Sequence, residues 1–347
     1  LAVANSGLFG GGDNVSVLLN NGDGTFAEDV LYGAGDSPFS VAIGDLDGDG
    51  DADLAVANEF TDNVSVLLNN GDGTFAPDVL YEAGSGPRAV AIGDLDGDGD
   101  TDLAVANQSS NNVSVLLNNG DATFALDVTY GAGSGPSSVD IGDLDGDGDA
   151  DLAVANQNSD NVSVLLNNGD GTFAPDVPYG AGLVPQSVVI GDLDNDGDTD
   201  LAVANFGGDN VSVLLNNGDG TFAPDVLLGA GGGPRAVAIG DLDGDGDADL
   251  AVANDSDNVS VLLNQCGPFM PVITTQPASV LLPVGGGIAQ LSVTASGTPP
   301  LAFQWRRDGV ALTDGGNISG ATTPDLTIFA TLQDTGAYNV VVSNSFE

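Results

Sequence analysis

A repeat of 49 residues governs this chain. The segment GDLDGDGD, written GDLDNDGD in one copy, opens an acidic loop at Asp45, Asp94, Asp143, Asp192 and Asp241, and every interval is 49. LAVAN occurs six times, from Leu1, Leu54, Leu103, Leu152, Leu201 and Leu250, and NVSVLLN recurs six times between Asn14 and Asn264. Repetition at this length marks a stack of supersecondary units, each burying its apolar face against its neighbours. Leu1 stands in the middle of such a unit and residues 341–347 stop inside what reads as a strand, so both ends of the chain are expected to be cut.

Within a unit the pattern predicts four short strands punctuated by Gly, Asn and Asp. In the first complete unit strand A is expected over residues 40–45, strand B over 54–58, strand C over 63–69 and strand D over about 75–81. The small residues of LAVAN suit a strand packed on both faces, and no stretch carries a sustained helical period. Four strands in a unit of this length describe a propeller blade. The chain holds twenty-two such strands, or five and a half blades, which predicts an all-β β-propeller of six or seven four-stranded blades, N-terminally truncated. A long-period β-solenoid is the structural alternative. NNGDGTF, as at residues 69–75, places Asn-Gly and Asp-Gly between strands and predicts a hairpin turn.

The acidic loops carry the chemistry. The first has Asp45, Asp47 and Asp49 at positions 1, 3 and 5, Gly50 at 6, Asp51 at 7 and Asp53 at 9. Alternate carboxylates turned inward, a Gly able to take positive φ and a position-7 carbonyl build an oxygen cage. The same positions recur as Asp94, Asp96, Asp98, Asp100 and Asp102, then as Asp143, Asp145, Asp147, Asp149 and Asp151. They recur again as Asp192, Asp194, Asp196, Asp198 and Asp200, and as Asp241, Asp243, Asp245, Asp247 and Asp249. A flexible cage of about 6–8 oxygens near 2.4 Å suits Ca²⁺ better than octahedral Mg²⁺, so about five Ca²⁺ sites are expected. An EF-hand would place Glu at position 12, where Val56 stands, and would need flanking helices.

Composition narrows the function classes. The 347 residues include 47 Asp, 4 Glu and 4 Arg, with no Lys or His, for a net charge of −47. A nucleic-acid partner is excluded, because nothing here neutralises a run of phosphates. One Cys and no His also remove Cys–His nucleophiles and zinc clusters, leaving carboxylate chemistry. Paired carboxylates can hydrolyse glycosides, but the loops account for 25 of the 51 acidic residues, and no apolar pocket is indicated to poise an acid near neutral pH. The expectation is a non-catalytic protein. No apolar run reaches the roughly 20 residues of a membrane span.

GDLDGDGDADLAVAN resembles the FG-GAP or VCBS repeat, the unit of the integrin α-subunit propeller and of many bacterial surface proteins. The resemblance covers residues 1–264 and implies one Ca²⁺ per DxDxDGxxD loop, between strands A and B. YGAG and VAN stand where the family's eponymous Phe-Gly and Gly-Ala-Pro elements would be, which favours the bacterial type. Strand direction puts the A–B and C–D loops on one face. The B–C and D–A loops, whose sequences vary between units, lie on the other, and a protein or glycan ligand is expected there. Arg88 and Arg235, in the D–A connections, are expected to form salt bridges, with clamping of an acidic sugar as the alternative. The NVS sequons from Asn14 to Asn258 are expected to mark strand starts, with glycosylation as the alternative in a host with that machinery.

Residues 265–277, with three Pro and the single Cys266, read as a linker. Residues 278–347 carry LSVTASG, FQWRRDG and DTGAYNVVVSN. These resemble an immunoglobulin-like β-sandwich, C-terminally truncated, with Trp305 as the strand C tryptophan and Tyr338 as the corner tyrosine. Val293 and Val340 occupy that family's cysteine positions, implying an apolar core without the disulfide. The whole reads as a calcium-binding extracellular or cell-surface adhesion and recognition protein. The alternative is a carbohydrate-binding accessory of a larger secreted enzyme.

Overall fold

The computed structural model describes residues 1–6, 13–264, 271–278, 287–296, 301–331 and 334–343. The chain divides into two compact units, Leu1–Asn264 and Gln265–Glu347. Cys266 and much of the expected linker lie outside the described residues.

The first unit is a series of six antiparallel sheets. β1 (Ala2–Asn5), β2 (Asn14–Val17) and β3 (Val30–Gly33) form the first. The second holds β4 (Pro38–Gly44), β5 (Asp53–Asn58), β6 (Asn63–Leu67) and β7 (Val79–Glu82), and the third β8 (Pro87–Gly93), β9 (Asp102–Asn107), β10 (Asn112–Leu116) and β11 (Val128–Gly131). The fourth holds β12 (Pro136–Gly142), β13 (Asp151–Asn156), β14 (Asn161–Leu165) and β15 (Val177–Gly180), and the fifth β16 (Pro185–Gly191), β17 (Asp200–Asn205), β18 (Asn210–Leu214) and β19 (Val226–Gly229). β20 (Pro234–Gly240), β21 (Asp249–Asn254) and β22 (Asn258–Leu262) form the sixth. In each complete sheet the strands pair in sequence order, the meander of a propeller-like blade. Leading strands of successive sheets pack side by side: β4 on β8, β8 on β12, β12 on β16 and β16 on β20.

In the four complete sheets LAVAN is buried on both faces, as its composition predicts. Leu54 and Val56 pack back against Val15 and Val17 of the first sheet. Ala55 and Ala57 pack forward, with Val64 and Val66, against Val90, Leu103 and Val105 of the third. The same forward and backward packing recurs along the series. Each fully buried Val or Leu contributes about 1.5–3 kcal/mol, so the sheets are held chiefly by their neighbours.

Strand D departs from the expected single run over 75–81. Phe75 makes only an isolated bridge with Asn69, and β7 begins at Val79. The Asp78 carboxylate accepts the Ser65 hydroxyl there, and Asp29 and Asp127 do the same with Ser16 and Ser114 where Glu28 and Leu126 stand in place of Pro77. Strand C likewise stops at Leu67, before the turn. NNGDGTF forms that turn: Asp72 accepts both the backbone N–H and the hydroxyl of Thr74. The sequon residue Asn63 is buried and accepts the Asn58 amide, as a strand start would.

In the second unit, β23 (Val272–Thr275), β24 (Gly287–Ser292), β25 (Thr294–Ser296), β26 (Ala302–Arg307), β27 (Val310–Ala311), β28 (Ile318–Ser319), β29 (Asp325–Ala330) and β30 (Tyr338–Ser343) form three small sheets. Trp305 is fully buried in a core that includes Val293, Leu326 and Ile328, with Val340 packed against it. Its indole N–H donates to Thr323 O, and the Tyr338 hydroxyl donates to Asp334 O four residues upstream, the geometry of a tyrosine corner.

Candidate metal centres

Each acidic loop joins the first two strands of a complete sheet, and the loop of the sixth sheet does the same between β20 and β21. Its local shape follows from its residues. Gly48 and Gly50 have φ of 76° and 90°. These left-handed turns fold the loop so that Asp45 accepts the Gly48 and Gly50 N–H groups and Asp47 accepts Asp49 N–H. Asp53, the first residue of β5, closes the loop by accepting Leu46 N–H at 2.9 Å and Asn69 N–H at 2.7 Å.

The result brings positions 1, 3 and 9 together. In Asp45, Asp47 and Asp53, in Asp94, Asp96 and Asp102, and in Asp143, Asp145 and Asp151, carboxylate oxygens lie within 4.8 Å of one another. Asp192, Asp194 and Asp200 and Asp241, Asp243 and Asp249 make the fourth and fifth such triads. Positions 5 and 7 stand outside them: Asp49 accepts Asp51 N–H, and the side chain of Asp51 lies over Gly71 of the next turn. Asp98, Asp147, Asp196 and Asp245 repeat the first arrangement. Asp100, Asp149 and Asp198 repeat the second, over Gly120, Gly169 and Gly218, while Asp247 is buried and held by the Asn195 amide at 2.6 Å.

Electrostatics shows what the triads lack. Burial pushes Asp102, Asp151 and Asp200 up to about 6, with the neighbouring charges at positions 3 and 5 adding to it and two backbone N–H groups opposing it. Asp53 is raised for the same reasons. Burial likewise raises Asp96, Asp145, Asp194 and Asp243. Packed carboxylates that resist ionisation are the signature of a site short of positive charge. In the fourth loop, Asn195 replaces the Gly whose N–H caps position 1 elsewhere, and the buried Asp192 Oδ1 has no protein donor. An all-oxygen donor set with an orphaned buried acceptor fits a hard cation, for which a triad supplies three of the ligands.

A family model described as an FG-GAP-like repeat matches residues 2–56, 49–105, 94–154, 143–203 and 192–252. This chain belongs to the FG-GAP-like repeat family. An immunoglobulin domain model matches residues 270–344. No curated protein matches significantly. Among solved structures, the FG-GAP-like repeat chain is similar to a putative 6-phosphogluconolactonase from Bacteroides fragilis, at 15% identity and a TM-score of 0.55 over 72% of each chain. A periplasmic gluconolactonase from Pseudomonas aeruginosa matches at 16% identity and a TM-score of 0.51, over 72% of this chain and 67% of its own. These likenesses show the fold alone. A lectin from Agrocybe aegerita, whose structure addresses recognition of non-reducing terminal N-acetylglucosamine, shares 26% identity over 73% of this chain and 75% of its own, with a TM-score of 0.49.

On the opposite face, Arg88 pairs with Glu59 at 2.6 Å and lies over the Phe39 ring. Arg235 pairs with Asp255 at 2.8 Å and lies over Phe206. Both arginines thus form the salt bridges expected of them. Residue types alone did not single out Asn69, Asn118, Asn167 and Asn216, whose backbone N–H groups hold the position-9 carboxylates. The signal was present in the doubled Asn that ends each NVSVLLNN.

Proposed function

We propose that this chain is a calcium-braced, non-catalytic recognition module that works outside the cell or at its surface. The observation that carries the reading is the five carboxylate triads, each with its buried member at the start of a central strand. A cation there would neutralise charges that otherwise repel and would tie the loop to the strand beneath. Metal that binds only the folded chain stabilises it by about 2.7 kcal/mol per site at a hundredfold excess over Kd. Extracellular calcium at millimolar levels suits such loops. Among the described residues no helix is long and apolar enough to cross a membrane.

We read the six sheets as consecutive blades of a six- or seven-bladed propeller, supported by the side-by-side leading strands and by the fold likenesses. Recognition belongs on the face away from the triads, where Phe39 and Phe60 are 48% and 65% exposed beside the Arg88–Glu59 pair. These rings favour a glycan as the second reading, that of a carbohydrate-binding accessory. Calorimetric calcium titration of chelator-stripped chain, with a thermal melt alongside, tests the first. About five sites and a large rise in Tm are expected, and heat-silent titration with an unchanged melt would sink the reading. A glycan array run with and without chelator tests the second, which fails if no sugar binds.

A further inference from the structure

Asn167 touches two acidic loops at once. Its backbone N–H donates to Asp151 Oδ1 of its own loop at 2.7 Å. Its side-chain amide donates to Leu95 O, position 2 of the preceding loop, at 2.7 Å, and to Ala150 O at 2.8 Å. Asn118 makes the same bonds to Asp102 and to Leu46 O. Asn216 makes them to Asp200 and Leu144 O, and Asn264 to Asp249 and Leu193 O. Asn118, Asn167 and Asn216 are 5%, 6% and 7% exposed, so water does not compete for these bonds.

The same leucines close their own loops, since Leu46, Leu95, Leu144 and Leu193 N–H groups donate to Asp53, Asp102, Asp151 and Asp200. Position 2 of one loop and position 9 of the next are therefore joined through one buried asparagine, and the hydrogen bonds run in series from Asp53 to Asp249. Thr101 and Thr199 hydroxyls add bonds to Asp45 O and Asp143 O of the preceding loops. Asn69 is the natural exception. It holds Asp53 and Ala52 O, and among the described residues its side chain bonds no second acidic loop.

We propose that Asn118, Asn167, Asn216 and Asn264 are positioning residues that couple cation binding between consecutive loops. This rests on reading the triads as calcium sites. Ordering one loop fixes the leucine carbonyl that receives the next repeat's asparagine, and that asparagine holds the position-9 carboxylate of its own loop. The second cation then orders less, which is positive and reciprocal coupling. A coupling at the lower end of the usual range corresponds to about a fivefold change in affinity.

The test is a double-mutant cycle read by calorimetric calcium titration of the full chain. Its four proteins are the parent, a second-loop knockout (Asp94→Asn with Asp96→Asn), Asn167→Ala, and the combination. In the parent background the knockout is expected to remove one site and to weaken two remaining ones, those of the first and third loops, about fivefold each. In the Asn167→Ala background it removes one site and weakens only the first-loop site, which Asn118 still couples to the second loop. Asn69→Ala, which cuts the same local bond without an inter-loop bond, affects one site only. Should alanine unfold the chain, Asn167→Ser is used, because its hydroxyl can still accept the Gly169 N–H that Asn167 Oδ1 accepts. Unchanged affinities at the remaining sites in the parent background would overturn the coupling, as would the same knockout effect in both backgrounds. A parent that binds no calcium would overturn the metal reading itself, and the coupling with it.

Discussion

At the scale of single residues, the position-9 aspartates set how the protein responds to acid. Asp102, Asp151 and Asp200 have folded-state values of about 6 against an ordinary 3.8. The folded, metal-free chain therefore binds these protons more tightly than the unfolded chain. Their contribution to stability is fully present below about pH 4 and is lost as pH rises through about 6. Chelated protein is expected to melt at lower temperature at pH 7 than at pH 5, and saturating calcium to remove or reverse the difference. Scanning calorimetry at the two pH values, with chelator and with calcium, checks this. Gly120 shows a second constraint. Its φ is 83°, and an added Cβ would stand 2.5 Å from the Asp100 carboxylate. Gly120→Ala is expected to cost about 1–2 kcal/mol in urea unfolding. Gly131→Ala, with nothing within 4 Å of the new carbon, should stay within about 0.5 kcal/mol.

At the scale of elements, each of the first four sheets clasps the next with an aromatic pair. Tyr32–Phe75, Tyr81–Phe124, Tyr130–Phe173 and Tyr179–Phe222 meet edge to face, with ring centroids 5.0–5.2 Å apart. The Tyr81, Tyr130 and Tyr179 hydroxyls donate to carbonyls in the next repeat's turn. Leu228 stands where the fifth sheet would carry its tyrosine, and the series of clasps ends there. Phe173→Ala is expected to destabilise calcium-saturated protein by about 3 kcal/mol, because a ring only 7% exposed leaves a cavity between two sheets. Equilibrium denaturation measures it, and a cost under about 1 kcal/mol would mean the clasps are incidental. Strand content was legible in the short apolar runs and the Gly, Asn and Asp between them. The break before Val79 depends on Asp78 accepting the Ser65 hydroxyl from the neighbouring strand, a contact that only strand pairing brings about.

At the scale of the molecule, the described sheets of the first unit pack chiefly on their neighbours in sequence, so the end sheets are predicted to be the least stable. Val64, Val113, Val162 and Val211 are fully buried, whereas Val259 at the same place in the sixth sheet is 65% exposed. Hydrogen exchange should find protection highest in β9, β13 and β17 and lowest in β1 and β21. Uniform protection would contradict nearest-neighbour packing. The sequence alone determined the repeat, the all-β class, the triad-bearing loops and the apolar core around Trp305, because each depends on residues close together in the chain or on a fixed period. Tertiary structure decided which carboxylates meet, which lean on a turn glycine, and that an asparagine bonds a loop carbonyl 72 residues earlier. Those outcomes depend on how one sheet lies against the next, and no local pattern of residues encodes that distance.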